Sequence, residues 1–335
     1  MKRVILDCDP GIDDTFALIY LAALNHAREV QIECVTTSAG NVGAEQCARN
    51  AAYLLSQCGL RTIPLAAGCD APLALPLTTT PETHGETGLG YVTAPERHVE
   101  RDFDALWIDA IERGTEDLHL IVTGPATNLA AFAQMHPRHF AELRHITVMG
   151  GAVHYPGNTT PNAEWNFWVD PHAANDIFAA AAEAGTTITL CPLNVTEQMW
   201  LAPERLDRIV ALLGSQAIAE PLRDITRFYF EFHEDVGEGY GAQIHDLLTV
   251  LIALERIPST TCPAYLQVEA DSELMRGAVS ADVKGIWDNA PNANVLTGCD
   301  VEKAWAEFER ACKVHAQFAA GDAALAAGYH SEADD

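Results

Sequence analysis

A short apolar run, Arg3–Asp7, leads directly into the acidic segment Asp7-Cys8-Asp9-Pro10-Gly11-Ile12-Asp13-Asp14, and then into Thr15–Leu24, which is apolar all round. A run that short reads as a buried strand, and a segment apolar on every side reads as a buried helix. Together they make the first half of a βαβ unit, and the alternation repeats. Strands are predicted at Gln31–Thr36, Ile63–Ala66, Leu118–Thr123, His145–Met149 and Thr187–Leu190, and helices at Ala44–Ser56, Phe103–Gly114, Pro125–Met135 and Pro171–Glu183. Strict alternation of this kind predicts an α/β fold with an open, mostly parallel sheet flanked by helices and a Rossmann-like core.

Two stretches depart from that rhythm. Residues 69–98 are rich in Pro, Thr and Gly and form a loop of a length usually reserved for function or disorder. After Pro203, consecutive helices are predicted at Pro203–Leu213 and Ser215–Phe232, then a Gly-rich stretch Val236–Gly241 and an apolar segment Leu247–Leu254. Short strands follow at Tyr265–Val268, Ala278–Asp282 and Asn294–Leu296, and Asp300 is placed to cap a last helix. No repeat or linker interrupts the chain, so residues 1–320 are read as one domain and 321–335 as a frayed tail.

The net charge of −27 argues against nucleic-acid or anionic-membrane partners, which need basic patches. It leaves a neutral small molecule open. No apolar run reaches the roughly 18 residues of a membrane span, and the N-terminal apolar run is too short for a signal peptide. The nine cysteines are odd in number and contain no C-x-x-C pair, which suits reduced thiols in the cytoplasm.

Four aspartates fall at positions 7, 9, 13 and 14, between the first strand and the first helix. In open α/β sheets, ligands bind at the carboxyl ends of strands. Carboxylates this close repel one another unless a cation, a proton or water intervenes. Oxygen-only ligands select Ca²⁺, Mg²⁺ or Mn²⁺. A solvated acidic turn centred on Pro10-Gly11 is the plainer alternative. A phosphotransferase with an aspartate nucleophile would also place D-x-D here, but it expects a small hydroxyl residue soon afterwards, and none follows.

The segment Leu6–Asp14 resembles the signature of the nucleoside hydrolases, the inosine–uridine-preferring family. Further segments resemble that family in order: Val35–Asn41, His84–Gly90, Thr123–Leu129, Met149–Gly151, Asn158, Ala163–Asn166, Asp170-Pro171 and His245-Asp246. The resemblance spans about three quarters of the chain. It implies the nucleoside hydrolase fold, a homodimer or homotetramer, and Ca²⁺-dependent hydrolysis of the N-glycosidic bond of ribonucleosides to free base and ribose, as in salvage. Alternatives are a non-catalytic nucleoside or ribose binder on the same fold, and a hydrolase for a modified nucleoside.

Carried over position by position, the resemblance implies Asp9, Asp14, Asp246 and the backbone carbonyl of Thr123 as Ca²⁺ ligands, in a site of about eight oxygens. It implies Asp9 as the base that deprotonates the attacking water and His245 as the acid for the leaving base. Asp13, Asn41, Asn158, Glu164 and Asn166 match ribose-binding positions, and His84 belongs to a loop that closes over the base. Trp165 either lines the pocket or, by strand-like alternation, points away from it. Tyr229 and His233 are further candidates near the base. Leu247 replaces the family's usual Pro, Trp165 replaces its usual Phe, and residues 228–241 differ freely, so base preference stays open. Asp7 is left as a support without a direct role.

Overall fold

The computed structural model describes the backbone of residues 1–331 and the side chains of residues 1–318. The strands are β1 (Lys2–Cys8), β2 (Val30–Thr37), β3 (Leu65–Ala67), β4 (Leu118–Val122), β5 (His145–Met149), β6 (Ile188–Cys191), β7 (Trp200–Leu201), β8 (Ala242–Gln243), β9 (Ser259–Val268), β10 (Val279–Asp282) and β11 (Ala293–Cys299). The helices are α1 (Ile12–His26), α2 (Ala44–Gln57), α3 (Pro81–His84), α4 (Phe103–Glu112), α5 (Thr127–Met135), α6 (Pro137–Glu142), α7 (Trp165–Val169), α8 (Pro171–Ala184), α9 (Leu193–Thr196), α10 (Pro203–Leu213), α11 (Ala219–Asp235), α12 (His245–Ala253) and α13 (Val301–Ser331). Of the segment 321–335, expected to be frayed, residues 321–331 continue the backbone of α13, and 332–335 lie outside the described residues. Among the described residues, no helix is long and apolar enough to cross a membrane.

Nine strands form one sheet in the order β10-β9-β11-β6-β5-β4-β1-β2-β3. From β11 to β3 every neighbouring pair is parallel, and only β9 runs antiparallel to β11 and β10. The expected open, mostly parallel α/β sheet is therefore the architecture observed. The six strands β3-β2-β1-β4-β5-β6 have the doubly wound order, in which the chain reverses direction of growth between β1 and β4. The crevice beyond their carboxyl ends is where such sheets bind ligands.

Apolar cores cover both faces of the sheet. One packs α1, α10, α11, α12 and the start of α13 on one side, and the other packs α4, α5, α6 and α8 on the opposite side. Helix α1 is buried from Ile12 to Leu24, which explains its lack of a polar face: α12 and α13 cover the sides that the sheet does not. The least legible element was β9. Its first half, Ser259–Pro263, is polar and mostly exposed, so it carries no apolar alternation. Helix α11 begins four and ends three residues later than its apolar pattern indicated, and its last two turns carry Tyr229, Phe232 and His233.

Candidate active site

Three loops leave the carboxyl ends of β1, β2 and β4 side by side and close around Asp9. The backbone N–H of Asn41 donates to Asp9 Oδ2 at 2.8 Å, and Asn41 Nδ2 donates to the Asp9 carbonyl at 3.0 Å. A Cβ at Gly40 would lie 2.1 Å from Asp9 Oδ2, and one at Gly124 2.6 Å from Oδ1. Both glycines are therefore required by the carboxylate wedged between them.

Asp14 lies under Asp9, fully buried, and accepts from Thr123 Oγ1 at 2.7 Å. Asp246, in the first turn of α12, completes a group with Asp13 and Asp14 whose ligand oxygens lie within 4.8 Å of one another. Burial, and then the charge of Asp13, push the Asp14 carboxyl up to about 7. Burial likewise lifts Asp9 and Asp246 well above the carboxylate range, with Asp14 the next cause at Asp9 and Asp13 at Asp246. Like charges this close and this dry need a counter-ion. The donor set is oxygen only, which fits a hard divalent cation and matches the calcium site that the resemblance implies. Thr123, whose hydroxyl donates to Asp14, also lines the cavity. Its carbonyl accepts from Asn166 Nδ2 at 2.7 Å and keeps a second lone pair.

One wall of the cavity is polar and tightly hydrogen-bonded. Glu164 caps α7, taking the N–H groups of Asn166 (2.8 Å), Phe167 (3.2 Å) and Gly151 (2.8 Å). Burial nevertheless lifts its carboxyl to about 7, against the pull of those donors. Asn158 Oδ1 accepts from the Trp165 N–H at 3.1 Å. Asn41 Oδ1 is buried and has no partner among the described residues. Because 164–166 form the start of a helix rather than a strand, Trp165 does not alternate away: it lines the cavity together with Glu164 and Asn166.

The opposite wall is aromatic and imidazole-rich. His84 Nδ1 accepts the backbone N–H of Ile12 at 3.1 Å, so the neutral ring carries its proton on Nε2. A Cβ at Gly11 would meet His84 Nδ1 at 2.7 Å, and the missing side chain is what lets the ring reach the acidic loop. His245 Nδ1 is 2.9 Å from Thr196 Oγ1, and His233 Nδ1 is 2.8 Å from the Tyr229 carbonyl. Burial holds His84 and His245 neutral, each pushed down to about 3, and lowers His233 as well. Tyr229 stacks on Phe232 with ring centroids 6.1 Å apart and stands edge-on to His233 at 4.4 Å. Gly237 and Gly239, at φ +87° and +109°, turn the chain out of α11 and bring Glu238 to the cavity.

Residues 4–306 match the family model described as inosine-uridine preferring nucleoside hydrolase. This chain belongs to that family. It is 36% identical over 303 residues to the pyrimidine-specific ribonucleoside hydrolase RihA of Shewanella woodyi, covering 89% of this chain and 94% of that enzyme. Among solved structures it resembles a purine-preferring ribonucleoside hydrolase from Gardnerella vaginalis, with a TM-score of 0.84 and 28% identity, over 95% of this chain and 100% of that one. A plant nucleoside hydrolase superposes with a TM-score of 0.82 and 25% identity, over 93% of this chain and 99% of that one. Membership makes the chain a glycosyl hydrolase.

This nucleoside hydrolase gathers the residues named from its sequence into one cavity of 310 Å³. Asp9, Asp13, Asn41, His84, Thr123, Asn158, Glu164, Asn166, His245 and Asp246 all line it, while Asp14 sits beneath. One difference concerns the division of labour. The tight carboxylate group contains Asp13 in place of Asp9: oxygens of Asp13, Asp14 and Asp246 lie within 4.8 Å of one another. Sequence reasoning missed Thr196, Phe232, Glu197, Glu238 and Gln243, none of which lies within a motif. It also missed Asn50, whose Nδ2 ties the Pro10 carbonyl (3.1 Å) to that of Thr87 (2.7 Å) and so staples the long loop to the acidic one. A buried Asn inside an apolar helix stripe was the one available signal.

Proposed function

We propose that the chain hydrolyses the N-glycosidic bond of ribonucleosides, with a preference for pyrimidine bases. The observation that carries the reaction is the juxtaposition of Asp9 with the Asp13–Asp14–Asp246 group at the switch point of the sheet, facing amides and a carboxylate suited to ribose hydroxyls. Asp9, Asp14, Asp246 and the Thr123 carbonyl would hold Ca²⁺. Such an ion, when bound, lowers the pKa of a coordinated water and orients diol oxygens.

The chain's own residues then act as follows. Asp9, held at fixed orientation by Asn41, takes the proton from the attacking water. Asp13, Asn41, Asn158, Glu164 and Asn166 bind the ribose hydroxyls and orient C1′. Buried carboxylates around the sugar stabilise the oxocarbenium-like charge that grows as the bond to nitrogen breaks. The base departs toward the imidazole wall. There His84 Nε2–H donates a hydrogen bond to it without giving up its proton. His245, neutral at rest because it is buried, relays a solvent proton to the departing base nitrogen, and Asp9 returns the proton taken from the water to solvent.

Pyrimidine preference is supported by the curated relatives, at 36% identity, that carry pyrimidine-specific names. It is also supported by a cavity at the low end of the roughly 300–1,000 Å³ range of ligand clefts. Measuring kcat/KM for uridine, cytidine, inosine, adenosine and guanosine tests both parts. The expected result is release of ribose with uridine or cytidine turned over at least tenfold better than any purine. Preference for a purine would overturn the base assignment, and no release from any of the five would overturn the reaction.

A further inference from the structure

Asp7 neither joins the carboxylate group nor lines the cavity, yet it is completely buried. One oxygen does all of its bonding. Asp7 Oδ1 accepts from Thr36 Oγ1 at 2.6 Å and from Asn128 Nδ2 at 2.8 Å, while Oδ2 has no partner among the described residues. The two donors are anchored in turn. Trp107 Nε1 donates to Thr36 Oγ1 at 3.1 Å, and Asn128 Oδ1 accepts the N–H of Cys69 at 2.8 Å. The Asp7 carbonyl accepts the Thr123 N–H at 2.8 Å.

Thr36 lies in β2, Asn128 in the first turn of α5, and Thr123 directly after β4. Asp7 thus ties together the ends of the three strands whose loops enclose Asp9. Those loops pack tightly on the Asp9 carboxylate: there is no room even for a Cβ at Gly40 or Gly124, which would lie 2.1 and 2.6 Å from its oxygens. A shift of a few tenths of an ångström between the strand ends would turn or squeeze that carboxylate.

We infer that Asp7 is a positioning residue: by holding Thr36 and Asn128 on a single oxygen, it sets the spacing of the strand ends between which Asp9 is oriented. The inference rests on the reading of Asp9 given above. Asparagine offers the same oxygen in the same place, so Asp7→Asn should preserve the arrangement and Asp7→Ala should not.

The test compares wild type, Asp7→Asn, Asp7→Ala and Asn128→Ala on uridine, together with Tb³⁺ binding followed by luminescence as a probe of the cation site. Asp7→Ala is expected to lower kcat about 10–100-fold, as removal of such outer partners does, with KM changed less than about threefold. It should weaken Tb³⁺ binding, and Asp7→Asn should restore both within about threefold. Asn128→Ala should reproduce the direction of the defect, and it serves in place of Asp7→Ala if that variant does not fold. A merely structural role would lower the melting temperature while leaving kcat and Tb³⁺ affinity of the folded protein at wild-type values, and that result overturns the inference. So does an Asp7→Asn variant as impaired as Asp7→Ala. If wild type hydrolyses nothing, the functional reading fails by itself, and the Tb³⁺ arm still decides the role of Asp7.

Discussion

On one wall of the cavity, Asp9, Thr123 and Asn41 hang from the ends of adjacent parallel strands, held by ladder hydrogen bonds and by side chains such as Asp7 and Thr36. On the other, Tyr229, Phe232 and His233 come from the last two turns of one helix and lead into a Gly-bounded segment that is half open to solvent. The first wall has its geometry set by the whole sheet, so changing one residue there disturbs several contacts at once. The second is set by packing of a single helix, so side chains can be exchanged with local consequences. On the proposed reading, the base that activates water, Asp9, belongs to the first wall, and base recognition would fall to the second. One family can thus contain relatives named for pyrimidine and for purine substrates.

The largest predicted effect belongs to the strand wall. Asp9→Asn keeps size and the bond from Asn41 but cannot take a proton. It should lower kcat about a thousandfold on every nucleoside alike; appreciable turnover in steady-state assays would break the comparison, because the rigid wall would then lack its base. Asp246→Ala should be comparably severe but with loss of Ca²⁺ binding, measured by calorimetry.

Next in size are the two imidazoles. His84→Ala removes a locked donor and should cost about a hundredfold on uridine, yet little on a nitrophenyl riboside whose leaving group needs no help. His245→Ala should show the same dependence. Equal losses on both substrates would move these residues from leaving-group assistance to general support. Smaller still, Phe232→Leu should change the uridine-to-inosine ratio of kcat/KM by about tenfold at most, with Ca²⁺ affinity untouched.

The smallest effect is on pH, and it also separates the walls. Asp14 and Glu164 hold their protons up to about 7 in the folded protein, against 3.8 and 4.5 for the free groups. Folded protein therefore binds the extra protons between those values, and the stabilisation that accompanies them is lost as pH rises towards about 7. A proton on Asp14 competes with the cation, so Ca²⁺ affinity and the Ca²⁺-induced rise in melting temperature should grow from about pH 6 to about pH 8 and then level. The base wall should be flat over that range, since His84 and His245 are neutral throughout it. A Ca²⁺ effect independent of pH would contradict the burial of those carboxylates.

The same contrast explains what could be read from sequence. Strand ends and their loops announce themselves: Asp7–Asp14, Thr123 and Asn166 lie in short, composition-marked segments bounded by apolar runs, and the doubly wound order brings them to one crevice. The roles of Thr36 and Asn50 were hidden, because a buried hydroxyl or amide inside an element looks like any other polar residue until its partner is known. Phe232, Glu238 and Gln243 were hidden for a different reason. Phe232 reads as one more apolar helix residue, and Glu238 and Gln243 reach the cavity only through the turn after α11 and the short strand β8.

The central claim is that the strand wall performs cation-dependent glycoside hydrolysis. The most direct measurement is ribose release from uridine by the protein treated with a chelator and then resupplied with Ca²⁺. The account predicts loss of turnover on chelation and its recovery with Ca²⁺. Turnover that continues unchanged under chelation would contradict it.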